Sequence, residues 1–200
     1  MVALSLRDEK EYLHEQLREV RSVMLWKLDG LTERDRRRPM TPTGTNLLGL
    51  VKHLTGMEAS YLGETFGRPF DQPLPWYDDG GGWQNADMWA TPEESTDYIV
   101  GLYRDACRNA DRTIDQLDLD AHGTTPHAGE TTNLRFCLIG MIVETARHAG
   151  HADITRELID GSVGAAPDEL SLPPDVDAQW WRTYKANVTN AADAAAHDFG

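Results

Sequence analysis

Glu144-Thr-Ala-Arg-His148-Ala-Gly-His151-Ala-Asp153 sits inside a long apolar helical pattern. Leu134, Leu138, Met141, Thr145, Ala149, Ala152 and Ile159 recur at helical spacing, which predicts a core-facing helix over about 132–160 with Gly161 as its stop. Glu144 and His148 are four residues apart and stack one turn above the other on one face. A carboxylate placed beside apolar packing costs several kcal/mol unless something positive compensates it. A divalent metal ion would do so. Carboxylate and imidazole together suit zinc, with manganese, iron and nickel also compatible on ligand chemistry.

Three more long helices are predicted upstream. The first, about 5–31, carries the apolar stripe Leu13, Leu17, Val20, Met24 and Leu28, with Gly30 near its end and Pro39 and Pro42 enforcing the break. The second, about 46–66, is striped by Leu47, Leu50, Leu54, Met57 and Tyr61 and is stopped by Gly67. A Thr91-Pro92-Glu93-Glu94 start, with a capping hydroxyl, a first-turn proline and acids at the positive end of the dipole, opens the third helix, which runs to Leu117. Four amphipathic helices without a credible strand predict an all-α fold, an antiparallel four-helix bundle over 1–161. The tail, 162–200, reads as an extension with a short helix over about 175–196, in which Trp180 and Trp181 would dock on the bundle. The connection after helix two holds Trp76, Tyr77, Gly80-Gly81-Gly82, Trp83 and Trp89. It is long for a bundle and aromatic enough to pack, so it is expected to wall one side of a pocket.

Composition narrows the partners. With 33 acidic residues against 19 Lys plus Arg, the formal charge is −14, which opposes the phosphate neutralisation that nucleic-acid binding requires. The one basic cluster, Arg34-Asp-Arg36-Arg37-Arg38, is short and reads as a solvated helix end. No apolar run reaches the roughly 20 residues of a membrane span. The N-terminus turns charged at Arg7-Asp8-Glu9, too soon for a secretory signal, so a cytoplasmic protein is expected. Cys107 and Cys137 lie far apart and form no CxxC pair, which reads as two small core residues rather than a disulfide framework.

A metal held by Glu144 and His148 needs a further ligand from another helix. His53, in Leu50-Val-Lys-His53-Leu, borders the apolar stripe of helix two and is the best candidate. His151 follows His148 by three residues but lies about 10.5 Å along the axis from Glu144 at 1.5 Å per residue, so one ion can hardly take both. Spacing alone leaves Glu144/His148 and His148/His151 open as the helix-four pair. His14, His122, His127 and His197 fall on predicted surfaces or loops.

Thr43-Gly-Thr-Asn-Leu47-Leu-Gly-Leu-Val-Lys-His53-Leu, together with Glu144-Thr-Ala-Arg-His148-Ala-Gly-His151-Ala-Asp-Ile, resembles the DinB-like superfamily. Within it the chain is similar to the DUF664 branch, the mycothiol S-transferases and the mycothiol-dependent maleylpyruvate isomerase. The resemblance covers most of 5–161, and the tail more loosely. It implies a zinc-type site on an open bundle, held by His53, Glu144 and His148, with Glu144 standing where many members have a histidine. His151 is left just outside as a neighbour or alternative ligand. It also implies a homodimer formed through helix faces.

Three protein ligands leave a coordination position open, as in catalytic rather than structural zinc sites. A thiol in that position is deprotonated, and the thiolate is the nucleophile. Neither cysteine of the chain is placed for this, so the thiol is expected to be a cosubstrate, mycothiol by resemblance, attacking an electrophile. Arg147 and Arg156 are the candidates for binding its polar groups. Three competing readings use the same residues. A thiol-dependent isomerase would need a basic pocket for a diacid, a hydrolase would activate water on the metal, and a metal-binding module would turn nothing over.

Overall fold

The computed structural model describes residues 8–78, 84–167, 169, 172–173 and 175–198. Among them the chain is mostly helical, in the order α1 (Glu9–Trp26), α2 (Glu33–Arg37), α3 (Leu47–Tyr61), α4 (Pro75–Asp78), α5 (Thr96–Gln116), α6 (Leu134–Asp160) and α7 (Ala178–Asp198). Two short strands, β1 (His122–Thr124) and β2 (Thr131–Asn133), pair antiparallel between α5 and α6. The aromatic-loop residues 79–83, Trp83 among them, and the start of the first predicted helix lie outside the described residues.

α3 is the centre of the molecule. Twelve of its fifteen residues are buried, as expected of a helix that is apolar on nearly every face. It packs against α5 and α6, while α1 packs along α6. Leu47, Leu50, Val51 and Leu54 of α3 join Ile99, Leu102 and Tyr103 of α5, Met24 of α1 and Ala149 and Ala152 of α6 in one apolar cluster. Leu17, Ile114, Leu134, Leu138 and Met141 form a second. The two alanines let α6 approach closely beside His148.

A buried ionic network crosses this core. Arg21 of α1 grips Glu58 of α3 through two N–H···O contacts of 2.6 Å, and donates a third at 2.6 Å to Asp111 of α5. His14, expected at the surface, is buried and meets Asp111 through Nε2 at 2.8 Å. Burial favours the neutral guanidinium, but Glu58 and Asp111 outweigh it and hold Arg21 charged.

Local differences from the sequence reading have local causes. The third long helix starts at Thr96 rather than Thr91, with the Ser95 hydroxyl accepting from the Tyr98 N–H at 3.1 Å. Thr91–Glu94 is used otherwise, since Glu94 accepts from the Thr91 N–H at 2.7 Å and from Lys52 Nζ at 2.8 Å. The β1–β2 hairpin escaped the reading because three-residue strands are too short to show alternation. The basic cluster forms α2, and it is not simply solvated. Arg37 donates to the carbonyls of Thr91 and Glu94, and Arg36 to that of Leu28.

Gly161, at φ 81°, ends α6 in the left-handed conformation glycine favours. Beyond it, fully buried Lys27 donates to the Gly164 carbonyl at 2.6 Å and pairs with Asp153. In α7, Trp180 stacks on Tyr184 with centroids 5.3 Å apart and meets Trp181 edge-on at 4.8 Å. Trp180 and Tyr184 remain exposed. No helix among the described residues is long and apolar enough to cross a membrane.

Candidate metal centre

α3 and α6 bring His53, Glu144 and His148 together. Their ligand atoms all lie within 4.8 Å of one another. Glu144 Oε1 is 3.0 Å from His148 Nε2 and 3.3 Å from His53 Nε2, so the carboxylate sits between two imidazoles from different helices. The two rings meet edge-on with centroids 4.9 Å apart. Tetrahedral bonds of about 2.1 Å place ligand atoms about 3.4 Å apart, and the group is compact enough that it could hold one small divalent ion.

The far side of His53 is fixed by a residue the sequence reading missed. Nδ1 lies 2.7 Å from Asp87 Oδ2, the carboxylate–histidine pairing that orients metal-binding imidazoles. For both His53 contacts to be hydrogen bonds, both ring nitrogens must carry hydrogen. A metal ion in place of the Nε2 hydrogen would leave the Asp87 contact intact. Asp87 belongs to a one-turn 3₁₀ segment, Ala86–Met88. That turn is clamped onto the first half of α3. Asn46 caps α3 and donates to the Met88 carbonyl at 3.0 Å, and Lys52 donates to the Trp89 carbonyl at 3.0 Å. Gly49 makes room, since a Cβ there would lie 1.8 Å from the Met88 oxygen. Asn46, Gly49 and His53 fall on one helical face, so the motif around His53 is a docking face for the turn as well as a ligand donor.

Electrostatics favour the forms a metal needs. Burial pulls Glu144 upward, but hydrogen bonds from His53 and His148 outweigh it, and the carboxyl lies below its usual range. Burial and the neighbouring His53 lower His148, which keeps its imidazole neutral. His148 Nδ1 is buried with no hydrogen-bond partner among the described residues. The His53 and His148 side chains are 16% and 11% exposed, whereas Glu144 is 34% exposed, so the cluster opens on the carboxylate side.

The remaining candidates divide. His151 is exposed and lies outside the cluster, its ring centroid 5.5 Å from that of His148. Arg147 is exposed on α6 next to His148. Arg156 is buried and committed elsewhere: it donates to the Lys27 and Asp29 carbonyls at 3.1 and 2.9 Å and pairs with Asp160. It caps the end of α1, which leaves it poorly placed to receive a thiol cosubstrate. Both cysteines are free, and burial pushes both thiols up, Cys107 well above its ordinary value. Neither is a ready nucleophile.

α3 and α6, with the 86–88 turn, thus bring a group of metal-type donors together close to the surface among the described residues. A search of curated proteins gave no match. The family model described as Mycothiol-S-transferase matches residues 12–161, about three quarters of the chain and all of the cluster. The chain belongs to the mycothiol-S-transferase family.

Proposed function

We propose that the protein is a metal-dependent mycothiol S-transferase in which His53, Glu144 and His148 hold a divalent ion. Zinc suits two imidazoles and a carboxylate best, and nickel, manganese and iron are chemically permitted. The observation that carries this reading is the convergence of three donor atoms from two helices within 4.8 Å, in a chain of this family. When bound, the ion supplies an open position whose field deprotonates a thiol.

The chain's own residues prepare that position. Asp87 pairs with His53 Nδ1 and turns Nε2 toward Glu144, where a bound ion would take the place of the Nε2 hydrogen. Burial keeps the His148 imidazole uncharged, and hydrogen bonds keep Glu144 ionised. The exposed flank of Glu144 leaves a way in for thiol and electrophile, with Arg147 nearby to meet a polar group. The raised cysteine thiols support a thiol brought from outside.

In the same reading, residues 1–161 make a DinB-like antiparallel four-helix bundle, with 162–200 as its extension. Phe136, Ile139, Val143, Ile154 and Leu158 expose an apolar stripe along α6, which a second copy would cover in a homodimer. Sedimentation should then show a dimer that Val143→Glu dissociates, and a monomeric wild type would count against it.

Turnover tests the chemistry. Zinc-loaded protein should conjugate mycothiol to a bromobimane electrophile, and rates should fall to background without metal or without thiol. Turnover of an ester with water alone would favour a hydrolase, and metal binding with no turnover a non-catalytic module.

A further inference from the structure

α6 carries the exposed residues Ile139, Val143, Arg147, Gly150, Ile154 and Leu158 on one face, at steps of four, four, three, four and four. The series reads the same from either end, with its centre between His148 and Ala149. A second α6 laid antiparallel over that centre meets it in register throughout. Val143 falls opposite the partner's Ile154, Ile139 opposite the partner's Leu158, and Arg147 opposite the partner's Gly150. Val143, Ile154 and Leu158 are 62%, 64% and 63% exposed, so these apolar pairs have little cover within the chain. From Ile139 to Leu158 the series spans about 28 Å. With its flanks it buries roughly 1,000 Å² between two copies, the size at which a specific interface begins.

Gly150 is an independent sign. A glycine inside a helix costs about 1 kcal/mol against alanine, yet a Cβ at this one would meet nothing within 4 Å. The chain's own packing does not call for it, whereas an arginine stem crossing from a partner does. A two-fold also sets like flanks side by side. Glu144 and His148 lie along one edge of the exposed face, so both metal clusters open on the same side of the pair. Past the partner's Gly150, Arg147 stands about 3 Å along the axis from the level of the partner's His148 and about 9 Å from that of the partner's Glu144. We propose that two copies pair α6 antiparallel about this centre and that Arg147 of each crosses to the mouth of the other's metal cluster, where its guanidinium donates to an oxygen of the electrophile. The proposal rests on the transferase reading and its homodimer, and it adds the register and a residue that each copy lends to the other.

Oxidative crosslinking of the full chain tests the register. Val143→Cys and Ile154→Cys in one chain should give a disulfide-linked dimer. Either change alone should not, because identical positions lie about 16.5 Å apart along the axis, beyond the reach of a disulfide. Gly150→Leu should keep the chain helical by circular dichroism and weaken dimerisation about tenfold, the scale of one overpacked contact.

Mixing tests the lent arginine. Arg147→Ala should bind zinc normally and raise KM for the bromobimane electrophile about tenfold, the scale of one charged hydrogen bond. His148→Ala should bind no zinc. Mixed pairs of the two variants, purified through two tags, should recover the wild-type KM, since the loaded cluster then faces an intact Arg147. Mixed pairs that keep the raised KM, a monomeric wild type, or single-cysteine variants that link as readily as the double one overturn the proposal. A crosslinked dimer that turns over no electrophile retires the transferase reading, and the lent arginine with it, and keeps the register. Turnover by a monomer retires the register and keeps the transferase reading.

Discussion

His53 Nδ1 lies 2.7 Å from Asp87, which directs the hydrogen of that nitrogen at the carboxylate and leaves Nε2 facing Glu144. Asp87 touches no other member of the cluster in this arrangement, so its influence on a metal would pass through one imidazole. Removing such a partner typically costs 10–100-fold in metal affinity. Asp87→Ala should therefore weaken zinc binding by about that factor in a chelator competition while leaving its stoichiometry at one ion per chain. Wild-type affinity in this variant would mean that His53 needs no such support. Arg156 illustrates the opposite case: a cation one turn beyond the His148–Asp153 stretch looks available in sequence, yet its donors are spent on the end of α1 and on Asp160.

α3 carries two duties on one face, donating His53 and docking the turn that orients it. Gly49→Ala drives a Cβ into the Met88 carbonyl. Forcing atoms into a packed contact costs about 1–3 kcal/mol, so the variant should melt lower and also bind zinc more weakly, because Asp87 moves with the turn. A variant that loses stability but keeps full zinc affinity would show that the turn does not orient the ligand. The face itself was readable in sequence only in part. Leu47, Leu50 and Leu54 announce a buried helix through their spacing, and His53 through its place beside them. Glu144 and His148 were readable as neighbours four apart on a helix, but spacing alone left His148/His151 equally open, and only the family resemblance favoured the first pair. Asp87 was not readable, since it reaches His53 across 34 residues from an irregular turn and no periodicity constrains such a pairing. The same holds for His14, whose partner Asp111 lies 97 residues away, and for Glu94, which looked like a helix start until Lys52 claimed it.

Through the core, Arg21, Glu58, Asp111 and His14 tie α1, α3 and α5 together. Glu58 is fully buried, so Arg21→Met would strand its charge, and breaking a buried pair from one side costs about 3–5 kcal/mol. Chemical denaturation should register that loss, and a change below about 1 kcal/mol would place water or another cation beside Glu58. The network also makes stability depend on acid. Burial pulls the Asp111 carboxyl upward, but hydrogen bonds from His14 and Arg21 carry it from 3.8 down to about 2. A carboxyl lowered in the folded state contributes its full stability above about pH 4 and loses it as the pH falls toward 2. Discounted for partial exposure, the contribution is on the order of 1–2 kcal/mol. Melting temperature should drop between pH 4 and 2 in the wild type, and Asp111→Asn should flatten that drop. An equally steep drop in the variant would assign it to other carboxylates.

Taken together, the packing of α3 against α6 presents two imidazoles and a carboxylate to one point, and the proposed chemistry depends on an ion held there. Equilibrium zinc titration of the wild type beside His53→Ala, His148→Ala and His151→Ala tests this most directly. One ion per wild-type chain, none at stoichiometric concentration in the first two variants, and near-normal binding in the third are expected. Zinc binding that survives loss of His53 or His148, or that fails equally on loss of His151, would contradict the assignment.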